Sequence, residues 1–228
     1  MAYSDADRGM SLERMLCGWN GSDPVWVFAY GSLIWNPEID YDAKHCGRVH
    51  GFHRSLCMWS HVYRGTPEAP GLVLALDRGG SCQGVAYRVP GARVRDELTK
   101  LWQREMVTGA YEPRWLRVRP CGPCARSSTP HHDLDALGFV IRRGGHAYAG
   151  DLDEATLMDT LRRARGLKGT SAEYLFATVE SLAAHGLADH RLSRLADRLA
   201  ASMAAALPNV PKANARLGDG VRPPGRAD

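Results

Sequence analysis

Four apolar runs, at residues 25–30, 47–60, 71–76 and 82–89, follow one another before the chain's first long helical pattern. Strands in immediate succession pair antiparallel, since a parallel neighbour needs a crossover of a dozen or more residues. The last two runs are separated by Asp77-Arg78-Gly79-Gly80, whose glycines suit a hairpin turn. Residues 92–106 then change period, with Val94, Leu98 and Leu101 recurring on one helical face and Glu105 continuing it. Strand patterns return at 114–118 and 137–142, and Gly144-Gly145 turns the chain into a further strand at 146–149. The last third is helical. One helix over 154–165 is closed by Gly166, a second opens at the capping box Thr170-x-x-Glu173 and ends near Gly186, and a third covers 189–207 and stops at Pro208. Strands followed by helices make an α+β chain.

Residues 1–24 read as an N-terminal extension with one or two helical turns around Leu12, Met15, Leu16 and Trp19. Residues 25–207 form the core domain. Residues 208–228, with four Pro, three Gly and few large apolar side chains, cannot offset their ordering entropy and form a mobile tail. A 44% hydrophobic, 24% charged chain of 228 residues excludes a fibrous or wholly disordered protein. The net charge of +4 comes from dispersed arginines, so no nucleic-acid surface is expected. The longest early apolar run, residues 25–30, is far short of the roughly 20 residues that cross a bilayer, so no membrane span is expected. The acidic N-terminus resembles neither a secretory signal nor a transit peptide, which places the protein in the cytoplasm and its six cysteines among reduced thiols. The oligomeric state is left open.

Four places could carry chemistry. Glu105 ends an apolar helical stripe. Burial and the negative end of the helix dipole would both disfavour its ionised form and raise its pKa toward that of a general base. The competing reading is a helix that ends earlier, leaving Glu105 solvated or paired with Arg104 or Arg114. Tyr30-Gly31-Ser32-Leu33 ends the first strand in a forced turn, whose amides could cradle a carboxylate or oxyanion or simply close the strand. Arg64, in Arg64-Gly65-Thr66-Pro67-Glu68, offers a planar fork to a carboxylate, although most such arginines are surface charges. Cys121-Gly122-Pro123-Cys124, followed by His131-His132-Asp133, has the letters of a redox or metal site. It follows a proline rather than opening a helix and lacks zinc-ligand spacing, so neither role is expected. Ser32 lies in no nucleophile elbow, so no hydrolase triad is read.

Taken together, VFAYGSLIWNP, GRVHGFHRSLCMWSHVYRGTPEAPGLVLAL, QGVAYRV, LWQREMVTGAY and GTSAEYLF resemble the ChaC family of γ-glutamylcyclotransferases, in its glutathione-specific branch, from about residue 25 to 199. That resemblance implies a compact γ-glutamylcyclotransferase-like fold with a small mixed β-barrel and flanking helices. It further implies a cofactor-free carbon–nitrogen lyase that converts glutathione to 5-oxoproline and cysteinylglycine. Residue by residue, it implies Glu105 as the catalytic group. Ala29, Tyr30, Gly31, Ser32, Leu33 and Ile34 match the substrate-binding turn, Arg64 a positioning residue, and Tyr111 and Tyr148 pocket tyrosines. Ala29 stands where the family usually has Gly, Tyr63 where it has His before Arg64, and Thr108-Gly109-Ala110-Tyr111 where GGY is more usual. None of these departures removes a catalytic group. Three rivals remain: a cyclotransferase for another γ-glutamyl amine or peptide, a thiol-redox protein built on Cys121 and Cys124, and a non-enzymatic metabolite-binding module.

Overall fold

A computed structural model describes residues 4–121 and 132–206. Five strands, β1 (Val25–Ala29), β2 (Ala43–Ser60), β3 (Gly71–Val89), β4 (Tyr111–Pro120) and β5 (Leu134–Ile141), close into a barrel in the order β1-β3-β2-β4-β5. All neighbours in that order are antiparallel, and the closing seam is parallel, pairing Trp26 with Ala136 and Val27 with Leu137. The barrel is therefore mixed, as expected. Alternation splits β1 between two cores. Val25, Val27 and Ala29 join the large cluster shared with the helices, while Phe28 joins Leu76, Leu116 and Val140 in a smaller one.

The hairpin expected at Asp77–Gly80 is corrected: β3 runs unbroken from Gly71 to Val89, with Asp77 facing His53 and Arg78 facing Phe52. Gly79 and Gly80 do take positive φ, at 98° and 68°, but they serve a bulge in the long β2–β3 ladder. A bulge bends a strand without ending it, as a barrel this small requires. The strand expected at 146–149 shrinks to one bridge, Met58 to Tyr148, flanked by hydrogen bonds from the Trp59 amide to the Ala147 carbonyl and from the Ala149 amide to the Cys57 carbonyl.

Among the described residues five α-helices flank the barrel: α1 (Asp5–Met15), α2 (Val94–Glu105), α3 (Glu154–Arg163), α4 (Ser171–Ala184) and α5 (His190–Ala205). Helix α1 is longer than the one or two turns read from sequence, because Ser4 and Asp7 form a capping box and Leu12 buries against the core. Helix α3 stops at Arg163, and Gly166 does not cap it. Residues Arg165–Gly166 (β6) pair instead with Gly169–Thr170 (β7) in a small ribbon. A Cβ on Gly166 would come within 2.6 Å of the Arg64 amide nitrogen, so only glycine lets the ribbon lie against residues 63–65. The capping box at Thr170 and Glu173 opens α4 as its sequence implied.

Cysteine spacing carries no information about which side chains meet in space. Cys46 is disulfide-bonded, which corrects the expectation of uniformly reduced thiols, while Cys17, Cys57, Cys82 and Cys121 are free. The remainder of the Cys121–Cys124 motif, His131 and the tail lie outside the described residues. No helix among the described residues is long and apolar enough to cross a membrane.

Candidate active site

The stripe on α2 runs directly into a cavity. Val94, Leu98 and Leu101 are fully covered, and one turn on from Leu101 the carboxylate of Glu105 lines a pocket of about 170 Å³ together with Ser32, Trp35, Arg64, Arg104, Tyr111 and Tyr174. The Glu105 side chain is 14% exposed. Burial raises its pKa above the ordinary glutamate value, and Arg104, whose Nε lies 2.9 Å from Oε1, offsets only part of that rise. The helix does not end earlier, since α2 includes Glu105; the carboxylate does pair with Arg104, and it still holds its proton more tightly than a solvated acid. Arg114 takes no part, since it pairs with Glu112.

The turn after β1 forms a wall beside it. Gly31 leads into a single 3-10 turn, Ser32–Ile34, closed by the Ile34 amide donating to the Gly31 carbonyl at 2.9 Å. A Cβ on Gly31 would sit 2.9 Å from the Tyr174 hydroxyl, so the missing side chain is what lets that phenol approach the turn. Ser32 faces the pocket, and its Oγ accepts from Arg104 Nη2 at 3.0 Å. Ala29, Leu33 and Ile34 are buried in the core under the turn, and they shape it rather than line the cavity. Tyr30 is also buried. It donates to the Phe139 carbonyl at 2.7 Å and receives a hydrogen bond from Tyr111.

Three phenols thus surround the acid. Burial raises Tyr30 and Tyr111 well above the ordinary tyrosine value and Tyr174 to about 12, with the negative charge of Glu105 adding to each. All three stay protonated at neutral pH, where they can donate hydrogen bonds but cannot act as bases.

Arg64 enters from the loop after β2. Its backbone is anchored by its amide donating to Ser60 Oγ at 3.0 Å and by Ser171 Oγ donating to its carbonyl at 3.2 Å. The guanidinium lies over Trp35 and Tyr174, 5.9 and 5.5 Å from their ring centres, and Nη1 donates to the Thr170 carbonyl at 3.3 Å. Among the described residues no carboxylate reaches ion-pair distance of it, although the residue is only 8% exposed. Glu173 acts on it only from beyond ion-pair distance, and a buried cation with no direct ion pair is costly to maintain and suits an anionic ligand.

Tyr148 is placed elsewhere. Its hydroxyl donates to Asp77 Oδ2 at 2.9 Å, beside Arg143, and His146 and Ala147 of the same loop line the pocket in its stead. Sequence reading missed Arg104, Trp35 and Tyr174. Arg104 is polar at a helix end and looked like a mere competitor for Glu105. Trp35 and Tyr174 lie 139 positions apart and show no periodic signal; they meet only through the packing of α4 on the turn, where Trp35 Nε1 donates to Thr178 Oγ1 at 3.3 Å.

Residues 25–202 match the family model described as ChaC-like protein. The glutathione-specific γ-glutamylcyclotransferase of Escherichia coli (strain K12) is 35% identical over 195 residues, covering 86% of this chain and 81% of that protein. Glutathione-specific γ-glutamylcyclotransferase 1 of Mus musculus is 34% identical over 161 residues, covering 69% of this chain and 70% of its own. In fold, the chain resembles the crystal structure of the yeast γ-glutamyl cyclotransferase specific to glutathione, with a TM-score of 0.70, 20% identity, and coverage of 78% and 96%.

Proposed function

This chain belongs to the ChaC-like family, and from that premise we propose that it is a glutathione-specific γ-glutamylcyclotransferase, a lyase that releases 5-oxoproline and cysteinylglycine. The observation that carries the reading is the pairing, in one cavity, of a carboxylate with a raised pKa and a buried arginine that makes no direct ion pair among the described residues.

A γ-glutamyl amide contains its own nucleophile. The α-amine attacks the γ-carbonyl, a five-membered ring closes, and the bond to the cysteinyl nitrogen breaks, with no water or cofactor consumed. Holding the substrate folded supplies the proximity contribution. At neutral pH the α-amine is an ammonium ion, and Glu105 takes its proton as general base. The same group then returns the proton to the departing cysteinyl nitrogen, a double task that favours an acid with a raised pKa. Arg64 holds the glutamyl α-carboxylate against the faces of Trp35 and Tyr174. The amides that open the turn at Ser32 and Leu33 stabilise the oxyanion. Tyr30 and Tyr111 keep Glu105 in a nearly dry wall, and Arg104 keeps it aligned with Ser32. We place the reaction in the cytoplasm, where glutathione sets the thiol poise.

Purified protein incubated with glutathione, and separately with γ-glutamyl dipeptides, without metal or nucleotide, tests this directly. Release of 5-oxoproline from glutathione alone is expected. Release only from the other compounds keeps the chemistry and changes the substrate. No release from either returns a thiol-redox role, testable in a Cys121→Ser variant, or a binding-only role to consideration.

A further inference from the structure

We propose that Lys168 reads the glycyl carboxylate of glutathione and thereby sets the pocket's preference for the tripeptide over γ-glutamyl compounds without an anion at that end. The inference rests on the cyclotransferase function proposed above and assigns the distal half of its substrate.

Lys168 lies at the turn of the β6–β7 ribbon, which is fastened to the loop carrying Arg64 by the Leu167 amide donating to the Val62 carbonyl and the Lys168 amide donating to the Tyr63 carbonyl, both at 2.9 Å. Its Nζ rests 4.9 Å from the centre of the Tyr63 ring, so the ammonium is backed by an aromatic face. It lines the same cavity as Glu105 and Arg64, and its charge is felt at both Glu105 and Glu38. Among the described residues it makes no ion pair.

Charge counting then assigns the groups. Glutathione brings one ammonium and two carboxylates. Among the described residues three arginine or lysine side chains line the cavity, and one of them, Arg104, is already held by Glu38 and Glu105 at 3.0 and 2.9 Å. Arg64 and Lys168 remain for the two carboxylates, and Glu105 for the ammonium. The order along the pocket agrees. Glu105 and Arg64 are nearly covered, where cyclisation must exclude water, whereas Lys168 is exposed at the mouth. From the γ-carbonyl to the glycyl carboxylate is about two residues of extended chain, roughly 7 Å, so this anion extends from the buried floor toward the rim. A contact so far from the reacting carbon acts in ground state and transition state alike, and its loss should appear in KM rather than kcat.

The test compares glutathione with its glycyl monoethyl ester, which removes only that charge, in the wild type and in Lys168→Met and Lys168→Arg. The wild type should prefer glutathione in kcat/KM by about two- to fivefold, the size of one exposed ion pair, and the preference should shrink as salt is added. In Lys168→Met the preference should fall to near one, and in Lys168→Arg most of it should return. A Lys168→Met enzyme that keeps the wild-type preference overturns the proposal, as does a wild type that treats acid and ester alike. A wild type that cyclises neither substrate refutes the underlying function, and this assignment with it.

Discussion

Helix α2 carries a nearly buried carboxylate at each end, and its surroundings drive the two in opposite directions. Glu97, in the first turn, is fully covered. Burial works to raise its pKa, but Lys100 at 2.9 Å, the Asp40 amide at 3.1 Å and Arg93 at 3.1 Å outweigh that and hold it below the ordinary glutamate value. At Glu105, the last residue, burial wins: Arg104 and, at longer range, Lys168 offset only part of it, and the charge of Glu38 adds to the rise. The helix dipole acts in the same sense, favouring negative charge at the first turn and opposing it at the last. An acid's proton affinity is therefore set by the balance between burial and partners: at Glu97 the partners win, and at Glu105 burial does. One acid is spent on holding the helix to the chain around Asp40, and the other is kept available for a proton.

The largest test exchanges the same atom at both ends. Glu105→Gln should reduce 5-oxoproline release by roughly 10²–10⁴-fold, the range of a positioned acid–base group, while circular dichroism shows the fold intact. Glu97→Gln should leave release measurable and lower unfolding stability in denaturant by about 2 kcal/mol, since a charged acceptor with three donors is lost. If Glu97→Gln proves the more damaging to catalysis, the contrast between the two ends is wrong.

The pH dependence of stability should separate them next. Glu97 has a depressed folded pKa, so its contribution is complete above the unfolded value near 4.5 and is lost as pH falls through the folded one. Glu105 has a raised folded pKa, so stability declines as pH rises from that unfolded value through the folded one. Denaturant midpoints at pH 7 should thus fall in Glu97→Gln and should not fall in Glu105→Gln.

A third variant sharpens the partner argument. Arg104→Gln removes the cation that partly restrains Glu105, so the acidic limb of the kcat/KM profile should move to higher pH, and KM should rise because Ser32 loses its donor at the turn. An unmoved limb would mean that Arg104 does not tune the acid. The smallest effect is expected at Tyr148→Phe, which removes one hydrogen bond to Asp77 and should cost about 1 kcal/mol in stability with 5-oxoproline release intact.

Much of this was legible in the chain itself. The stripe Val94, Leu98, Leu101 and Glu105 is a local pattern, and local periodicity survives folding because every member lies on one helix face. The capping box at Thr170 was equally readable, being a bond between residues three apart. The hairpin at Asp77–Gly80 was misread because two positive-φ glycines serve a turn and a bulge equally well, and only the partner strand β2 decides which. Gly166 looked like a helix stop for a similar reason: what demands a glycine there is the backbone of residues 63–65, about a hundred positions away.

The sequence alone determined the succession of helices α2 to α5, the acid at the end of the α2 stripe, and the turn and arginine that share its pocket, because each rests on short-range spacing or on a contiguous motif. Tertiary structure decided which of these groups lack partners. Among the described residues it left Arg64 and Lys168 without a direct ion pair, turned Tyr148 toward Asp77, and supplied Glu97 with three donors. A partner's presence depends on which distant segments approach within a few ångströms, and burial then converts that proximity into a shifted proton affinity.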